Sequence, residues 1–348
     1  MNPQNDLKEI ENLTKQVNAA QLPQELKDKA LQQIERITMT LKFGGSLTQL
    51  DIAQKYIDWI THLPWNSSTQ ENLNINEVKK VLDAHHFGLE KIKTRVLEYI
   101  SILILQKQSV SPQSYHAPIL FFVGLAGTGK TTFASSIATA LGRSFVRIPF
   151  GGLSSALDLR GQSKTMPNAE PGMVMKILRQ AQSNNPVILL DELDRISPDA
   201  QASVMGVLLE LLDPNQNKTF TDHFIDFPFD LSRALFVATA NNTNAISTAV
   251  LDRLEVVQMP SYTDMEKIAI AKQYVLPKTI KSAGMNPGDI EIDDILWQKI
   301  TRPLGFDSGI RTLERTIETI VRKVAFKMTQ GQKGPYRLSE TNIREFLE

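Results

Sequence analysis

Residues 119–132 read ILFFVGLAGTGKTT, five apolar residues running straight into a glycine-rich turn and then into Lys130, Thr131 and Thr132. The apolar run has the length and composition of a strand buried on both faces. Gly124, Gly129, Lys130 and Thr131 keep the G-x-x-x-x-G-K-[ST] spacing, and the residues that follow place Phe133, Ile137 and Leu141 on one face of a helix. Strand, loop and helix in this order form a phosphate cradle. The glycines let backbone N–H groups turn toward phosphate oxygens, and the helix N-terminus adds a field favourable to anions. In that cradle Lys130 would neutralise the β- and γ-phosphates of ATP and Thr131 would ligate Mg²⁺. The whole loop (Gly124, Leu125, Ala126, Gly127, Thr128, Gly129, Lys130, Thr131, Thr132) is thus the candidate nucleotide contact.

Downstream, VILLDELD (187–194) ends a second apolar run on Asp191 and Glu192. Ligands of open α/β sheets bind at the carboxyl ends of strands, so both carboxylates belong near the phosphates. Asp191 is placed to hold the Mg²⁺ shell, and Glu192 to act as general base or to orient the attacking water.

Further short apolar runs, SFVRI (144–148), ALFVATA (234–240) and EVVQM (255–259), alternate with helix-length segments from Pro118 onward. This alternation predicts an α/β domain with a mostly parallel sheet flanked by helices. The flanking regions read differently. Apolar residues recur at helical spacing from Leu7 to about Trp65, with a stop at Gly44-Gly45 and a capping box from Ser46 to Gln49 opening a third helix. A polar linker begins at Asn66, and another helical region runs from Val78 to about Gln106. After Tyr262 the strand signal fades and helices are expected over 264–275, 293–301 and 309–327. The chain thus divides into an N-terminal helical segment (1–66), an α/β nucleotide-binding domain (67–262) and a small all-helical lid domain (263–348).

The composition sets limits on function. Lys plus Arg equals Asp plus Glu at 38 each, so there is no overall basic field of the kind that drives nucleic-acid binding. Without cysteine, disulfides, thiolate metal sites and a Cys nucleophile are excluded. No secretory leader and no apolar run of membrane-spanning length is visible, which leads us to expect a cytoplasmic protein.

Several stretches taken in order, YIDWITHLPWN (56–66), LDAHHFGLEKIKTRVLEYIS (82–101), the phosphate loop, LLDELDRIS (189–197), LLELLDPNQNKTFTDHF (208–224), FVATANNTNAI (236–246), LDRLEVV (251–257) and SGIRTLER (308–315), resemble one family. That family is the AAA+ ATPase portion of Lon-type ATP-dependent proteases, and the resemblance covers nearly the whole chain. It implies a ring, a hexamer in this family, of identical subunits that hydrolyses ATP to unfold and thread unfolded or damaged proteins. By resemblance, Asn241 matches the sensor that positions the attacking water, and Arg253 the arginine finger that reaches into a neighbouring subunit's site. Arg311 matches a second sensor carried by the lid, and His86-Phe87-Gly88 the segment that receives adenine. The loop GQSKTMPNAEPG (161–172) matches a pore loop that grips the polypeptide with an aromatic-aliphatic pair; this chain has Met166-Pro167 there, apolar but without a flat aromatic face. A second pore-facing stretch, PDAQASVMG from Pro198, lacks the family's R-G-D-P run. Where the family has Pro-Pro after the first glycine, Leu125-Ala126 stand here.

The family continues into a peptidase domain with a Ser nucleophile and a Lys base, and none can be assigned within these 348 residues. Proteolysis is not expected from this chain alone, so that a peptidase on another chain would be a partner. Two functions remain open: the motor of a Lon-like protease, or a stand-alone remodelling or regulatory ATPase with altered pore loops. A DNA-directed AAA+ protein shares the nucleotide motifs, but the neutral charge and the flanking segments argue against it.

Overall fold

The computed structural model describes residues 3–42, 48–108, 118–302, 309–332 and 334–347. The expected stop at Gly44-Gly45 and Ser46 of the capping box lie outside them. Three helices, α1 (Pro3–Ala19), α2 (Gln24–Lys42) and α3 (Thr48–His62), open the chain. Their apolar stripes, Ile10, Leu13 and Val17 facing Leu26, Ala30 and Ile34 and then Ile57 and Ile60, close on one another.

The helical region expected from Val78 to Gln106 is two helices, α4 (Ile75–His85) and α5 (Glu90–Gln108). Gly88 and Leu89 both take left-handed backbone, with φ of 60° and 58°, and break the run between them. Asn74 caps α4 by accepting the Asn76 N–H at 3.0 Å.

The α/β region then unfolds in order: β1 (Ile119–Val123), α6 (Lys130–Leu141), β2 (Phe145–Pro149), α7 (Ala156–Arg160), α8 (Met173–Ala181), β3 (Val187–Asp191), α9 (Pro198–Leu212), a small antiparallel pair β4 (Phe220–Thr221) and β5 (Pro228–Phe229), β6 (Leu235–Ala240), α10 (Thr248–Leu251) and β7 (Leu254–Gln258). Five of these strands form a parallel sheet in the order β2-β3-β6-β1-β7. The three inner strands are buried throughout, whereas the edge strands β2 and β7 mix buried with exposed residues. Continuous apolar runs mark strands covered on both faces.

Because successive side chains point to opposite faces, the sheet feeds two cores. Phe121, Ile188, Leu190 and Ala238 join the core that contains α1–α3, α8 and α9. Leu120, Phe122, Leu189 and Val237 join Phe133 and Ile137 of α6 and Val96 and Ile100 of α5. The N-terminal helices therefore share their core with the sheet. The stretch from Pro198, expected to face a pore, forms the first turns of α9, with the proline in its tolerated first-turn position.

The lid comprises α11 (Asp264–Ile270), continued by a π-helical turn over 271–275, then α12 (Leu276–Ser282), β8 (Ile290–Ile292), α13 (Trp297–Thr301), α14 (Arg311–Thr329), β9 (Tyr336–Leu338) and α15 (Ile343–Leu347). Leu313, Ile317, Ile320 and Val321 of α14 face a separate lid core built with Trp297 and Leu338. The lid is helical, as expected, with one correction to the all-helical expectation: β8 and β9 pair in parallel. Strands of three residues are too short to leave an alternation in the sequence.

Candidate nucleotide site

Everything at this site follows from where three inner strands end. β6 lies between β1 and β3, so Val123, Asp191 and Ala240 finish side by side on the carboxyl edge of the sheet. The phosphate loop leaves β1 there. Gly124 donates its N–H to the Ala240 carbonyl at 3.2 Å, and a Cβ on Gly124 would lie 2.6 Å from the Met259 carbonyl oxygen, so only glycine fits between β6 and the end of β7. Gly127 and Gly129 adopt positive φ of 80° and 92°, which curls the loop before α6 begins.

Lys130 is buried at the mouth of this curl. Its Nζ donates to the carbonyls of Gly124 at 2.6 Å and Leu125 at 2.9 Å and to the Asn241 Oδ1 at 3.1 Å. The structure thus brings Lys130 and Asn241 into direct contact from positions far apart in the sequence. Burial pushes the Lys130 ammonium below the ordinary lysine range; Asp194, Asp191 and Glu192 oppose this shift and Arg311 adds to it. Thr131 is partly buried and Thr132 exposed at the start of α6, while Leu125 and Ala126 are exposed, pointing away from the curl's interior.

Asp191 is buried, with Thr239 donating its hydroxyl to Oδ1 and the Arg147 guanidinium 2.6 Å from Oδ2. Glu192 takes a left-handed backbone, φ 59°, and its N–H is tied to the Thr239 Oγ1 at 3.1 Å. That conformation is uncommon for a residue with a side chain and is held here by the neighbouring strand. Four participants were missed in the sequence: Thr239, which ties both acidic residues to β6; Arg147, in the middle of β2; Tyr262, whose hydroxyl donates to the Thr128 carbonyl at 3.3 Å; and Asp194. Asp194 is the leading charge acting on Lys130, and its Oδ1 is buried without a hydrogen-bond partner among the described residues. The DELD spacing displayed it, but nothing in the sequence told which of the three acids faces the lysine.

The lid closes over the loop. Ile310 donates its N–H to the Gly127 carbonyl at 3.1 Å, and a Cβ on Gly309 would meet the Ala126 carbonyl oxygen at 2.5 Å. Arg311 starts α14 beside Gly127, close enough for its charge to act on Lys130. Between lid and sheet lies a cavity of about 1030 Å³, lined on one side by His86, Phe87, Gly129 and Thr132 and on the other by Tyr274, Ile310 and Glu314. The volume suits a cofactor-sized ligand. Gly88 turns the chain behind this wall rather than lining it.

The His86 ring stacks on Phe133 with centroids 3.9 Å apart, and its Nε2 is 2.9 Å from the Ser136 Oγ, to which His85 Nδ1 also reaches at 3.0 Å. Burial, reinforced by the His85 and Lys93 charges, pushes His86 down to about 4. Arg253, Met166 and Pro167 are elsewhere. Arg253 precedes β7 and its carbonyl accepts the Ile119 N–H, which places it at the amino edge of the sheet. A five-residue strand separates it from the phosphate loop, about 16 Å of rise. Its guanidinium bonds the Ala249 carbonyl at 2.9 Å and the Asp213 Oδ2 at 3.3 Å. The exposed loop tip carrying Met166 and Pro167 is likewise apart from the cavity lining.

Two outcomes follow from this geometry. His86 is neutral in the folded chain down to about pH 4, while the unfolded chain protonates it near 6.5, so stability falls as pH drops through that window by on the order of 3 kcal/mol. Denaturant titrations at pH 7 and 4.5 should show His86→Gln losing less stability on acidification than the native chain; equal losses would place the acid sensitivity elsewhere. Gly309→Ala should lever the lid from the loop, raising amide exchange at Ile310 about tenfold or more, and unchanged exchange would mean the loop yields instead.

Comparison with known proteins agrees with this architecture. Residues 120–262 match the family model of the AAA ATPases, the ATPase family associated with various cellular activities, and residues 281–336 match that of the Lon protease AAA+ ATPase lid domain. The chain is similar to the Lon protease of Lawsonia intracellularis (strain PHE/MN1-00), 40% identical over 97% of this chain and 40% of the relative. It is also similar to the Lon proteases of Desulfovibrio desulfuricans (strain ATCC 27774 / DSM 6949 / MB), 38% identical over 97% of this chain and 38% of the relative, and of Dictyoglomus thermophilum (strain ATCC 35947 / DSM 3960 / H-6-12), 40% identical over 93% and 40%. The chain spans about two-fifths of the length of these curated relatives. With an AAA domain under a Lon-type lid, the chain belongs to the AAA+ ATPases as a module of the Lon type.

Proposed function

We propose that the chain hydrolyses ATP and serves as the motor of a Lon-type protease, with 1–66, 67–262 and 263–348 as its working parts. The observation that carries this reading is the convergence of Lys130, Asp191, Glu192 and Asn241 on one sheet edge beneath the lid, with Arg253 at the opposite edge. The residues present fit a nucleoside triphosphate and a divalent cation. The loop has glycine where a Cβ would collide, the buried ammonium of Lys130 is satisfied among the described residues by carbonyl and amide oxygens, and Asp191 offers a buried carboxylate. Thr131 and Asp191 would hold Mg²⁺, which when bound supplies charge neutralisation at the phosphates.

In this reading Lys130 leaves the Gly124 and Leu125 carbonyls to bind phosphate oxygens. Glu192 orients the water that attacks the γ-phosphate, and the Asn241 amide, released from Lys130, fixes that water from the other side. His86, Phe87 and Gly88 receive the base, the first two from the cavity wall. Arg311 carries the state of the site to the lid. Arg253 lies too far from its own loop to act there, which supports its completing the site of an adjacent subunit in a homo-oligomeric ring, a hexamer by resemblance. Unfolded protein would be the substrate, gripped by the Met166-Pro167 loop, and no peptide-bond nucleophile is assigned to this chain.

Glu192→Gln should bind ATP with near-native affinity and lower kcat by about 10²-fold or more. Calorimetric titration with ATP and single-turnover hydrolysis distinguish this from a folding defect, and retained turnover would remove Glu192 from the role. Mixing Arg253→Ala subunits with Glu192→Gln subunits should restore part of the hydrolysis, since a ring then contains interfaces with both native residues; no recovery at any ratio would argue against a shared site.

A further inference from the structure

The loop from Gly161 to Gly172 is tied at its base and free at its tip. The Gly172 N–H donates to the fully buried Asp222 Oδ2 at 2.7 Å, while Oδ1 accepts the N–H groups of Phe224 and Ile225 at 2.8 and 3.1 Å. A Cβ on Gly161 would lie 2.6 Å from the Gly172 nitrogen, so the two strands of the base cross in contact. Beyond that crossing, the Met166 N–H bonds the Ser163 carbonyl at 2.9 Å and the Ala169 N–H the Met166 carbonyl at 3.2 Å, closing a tip on which Met166 is 56% exposed.

These bonds fix the base; on the returning limb the Glu170 carboxylate pairs with Lys176 of α8 at 2.6 Å and the Glu170 carbonyl accepts the Gln162 N–H at 3.1 Å, and a further hold on that limb comes from outside the α/β region. Lys55 of α3 donates from Nζ to the Ala169 carbonyl at 2.8 Å and stands 3.9 Å from a Glu170 carboxylate oxygen. The next residue, Tyr56, donates its hydroxyl to the Ile225 carbonyl at 3.2 Å beside the Asp222 turn, and its ring lies 4.4 Å from the Lys164 ammonium on the outgoing limb. One turn of α3 thus touches both limbs and the anchor beneath them. Further along, Asp58 pairs with Arg179 of α8 at 2.9 Å, so the helix that follows the loop is gripped by the same face. The Lys55–Glu170 attraction is partly exposed and weak. The bond to Ala169 carries the geometry, because it fixes a backbone atom three residues from Met166.

We propose that α3 is the strut of this loop and that Lys55 is a positioning residue, through which the N-terminal helical segment sets where Met166 stands and how firmly a polypeptide is gripped. The gripping half of this rests on the threading function proposed above. The chain has no cysteine, so Met166→Cys provides a single site for a nitroxide label, and Lys55→Met removes the donors while keeping the stem. The label should become more mobile in the Lys55→Met background. With Met166 in place, the concentration of a permanently unfolded, carboxymethylated protein that half-stimulates the ATPase should rise about fivefold, the factor expected for one lost hydrogen bond. Basal turnover should stay within about twofold. Lys55→Arg, which keeps a cationic donor, should restore both readouts. An equally immobile label in Lys55→Met overturns the strut; a mobile label with unchanged half-stimulation overturns the coupling to gripping. If the native ATPase does not respond to polypeptide at all, the threading reading and the coupling fall together, and the label alone decides the strut.

Discussion

The structure depends on the insertion of β6 between β1 and β3 in a parallel sheet. That order puts the ends of three strands side by side and lets one hydrogen bond, from the Lys130 ammonium to Asn241, join the phosphate loop to the residue that follows a different strand. Were β1 to pair with β3 directly, Asn241 would finish on an outer strand and Thr239 could not tie Asp191 and Glu192 together. The parallel arrangement in turn requires cover on both faces, which the chain supplies with α5 and α6 on one side and with α8, α9 and the N-terminal helices on the other. The N-terminal segment is therefore part of what keeps the sheet buried as well as a neighbour of the loop at 161–172.

The electrostatics of the site follow from that packing. A buried ammonium is costly unless it is bonded and faces opposite charge. Lys130 has two carbonyls, an amide oxygen and the fields of Asp194, Asp191 and Glu192, with Arg311 opposing from the lid. A triphosphate would replace the carbonyls as partners and would also satisfy the cations around them, so the site is organised for an anion before any arrives. Asp191, already engaged by Arg147 and Thr239, and Asp194, with a buried oxygen lacking a partner among the described residues, are the two places where that organisation is tightest and loosest.

Much of this was legible in the sequence, because the features concerned are local. The phosphate loop, the five principal strands, the helical stripes of the N-terminal segment and the apolar face of α14 each follow from spacing within one element. Glycines at 124, 127 and 129 announced a curled loop for the same reason. What spacing misread was also local: the α4–α5 break, where two left-handed residues interrupt a helical pattern, and the β8–β9 pair, whose three-residue strands are too short to register.

The sequence by itself therefore determined the motif, the class of sheet and the chemistry available in each side chain, since these depend on neighbours along the chain. Only the tertiary structure decided which side chains share a site. Strand order, a matter of long-range pairing, brought Asn241 to the lysine and Thr239 to the two acidic residues, and sent Arg253 to the opposite edge. The docking of α3 against the loop was equally invisible, because Lys55 and Ala169 are joined by a bond across the fold and by nothing in their sequence context.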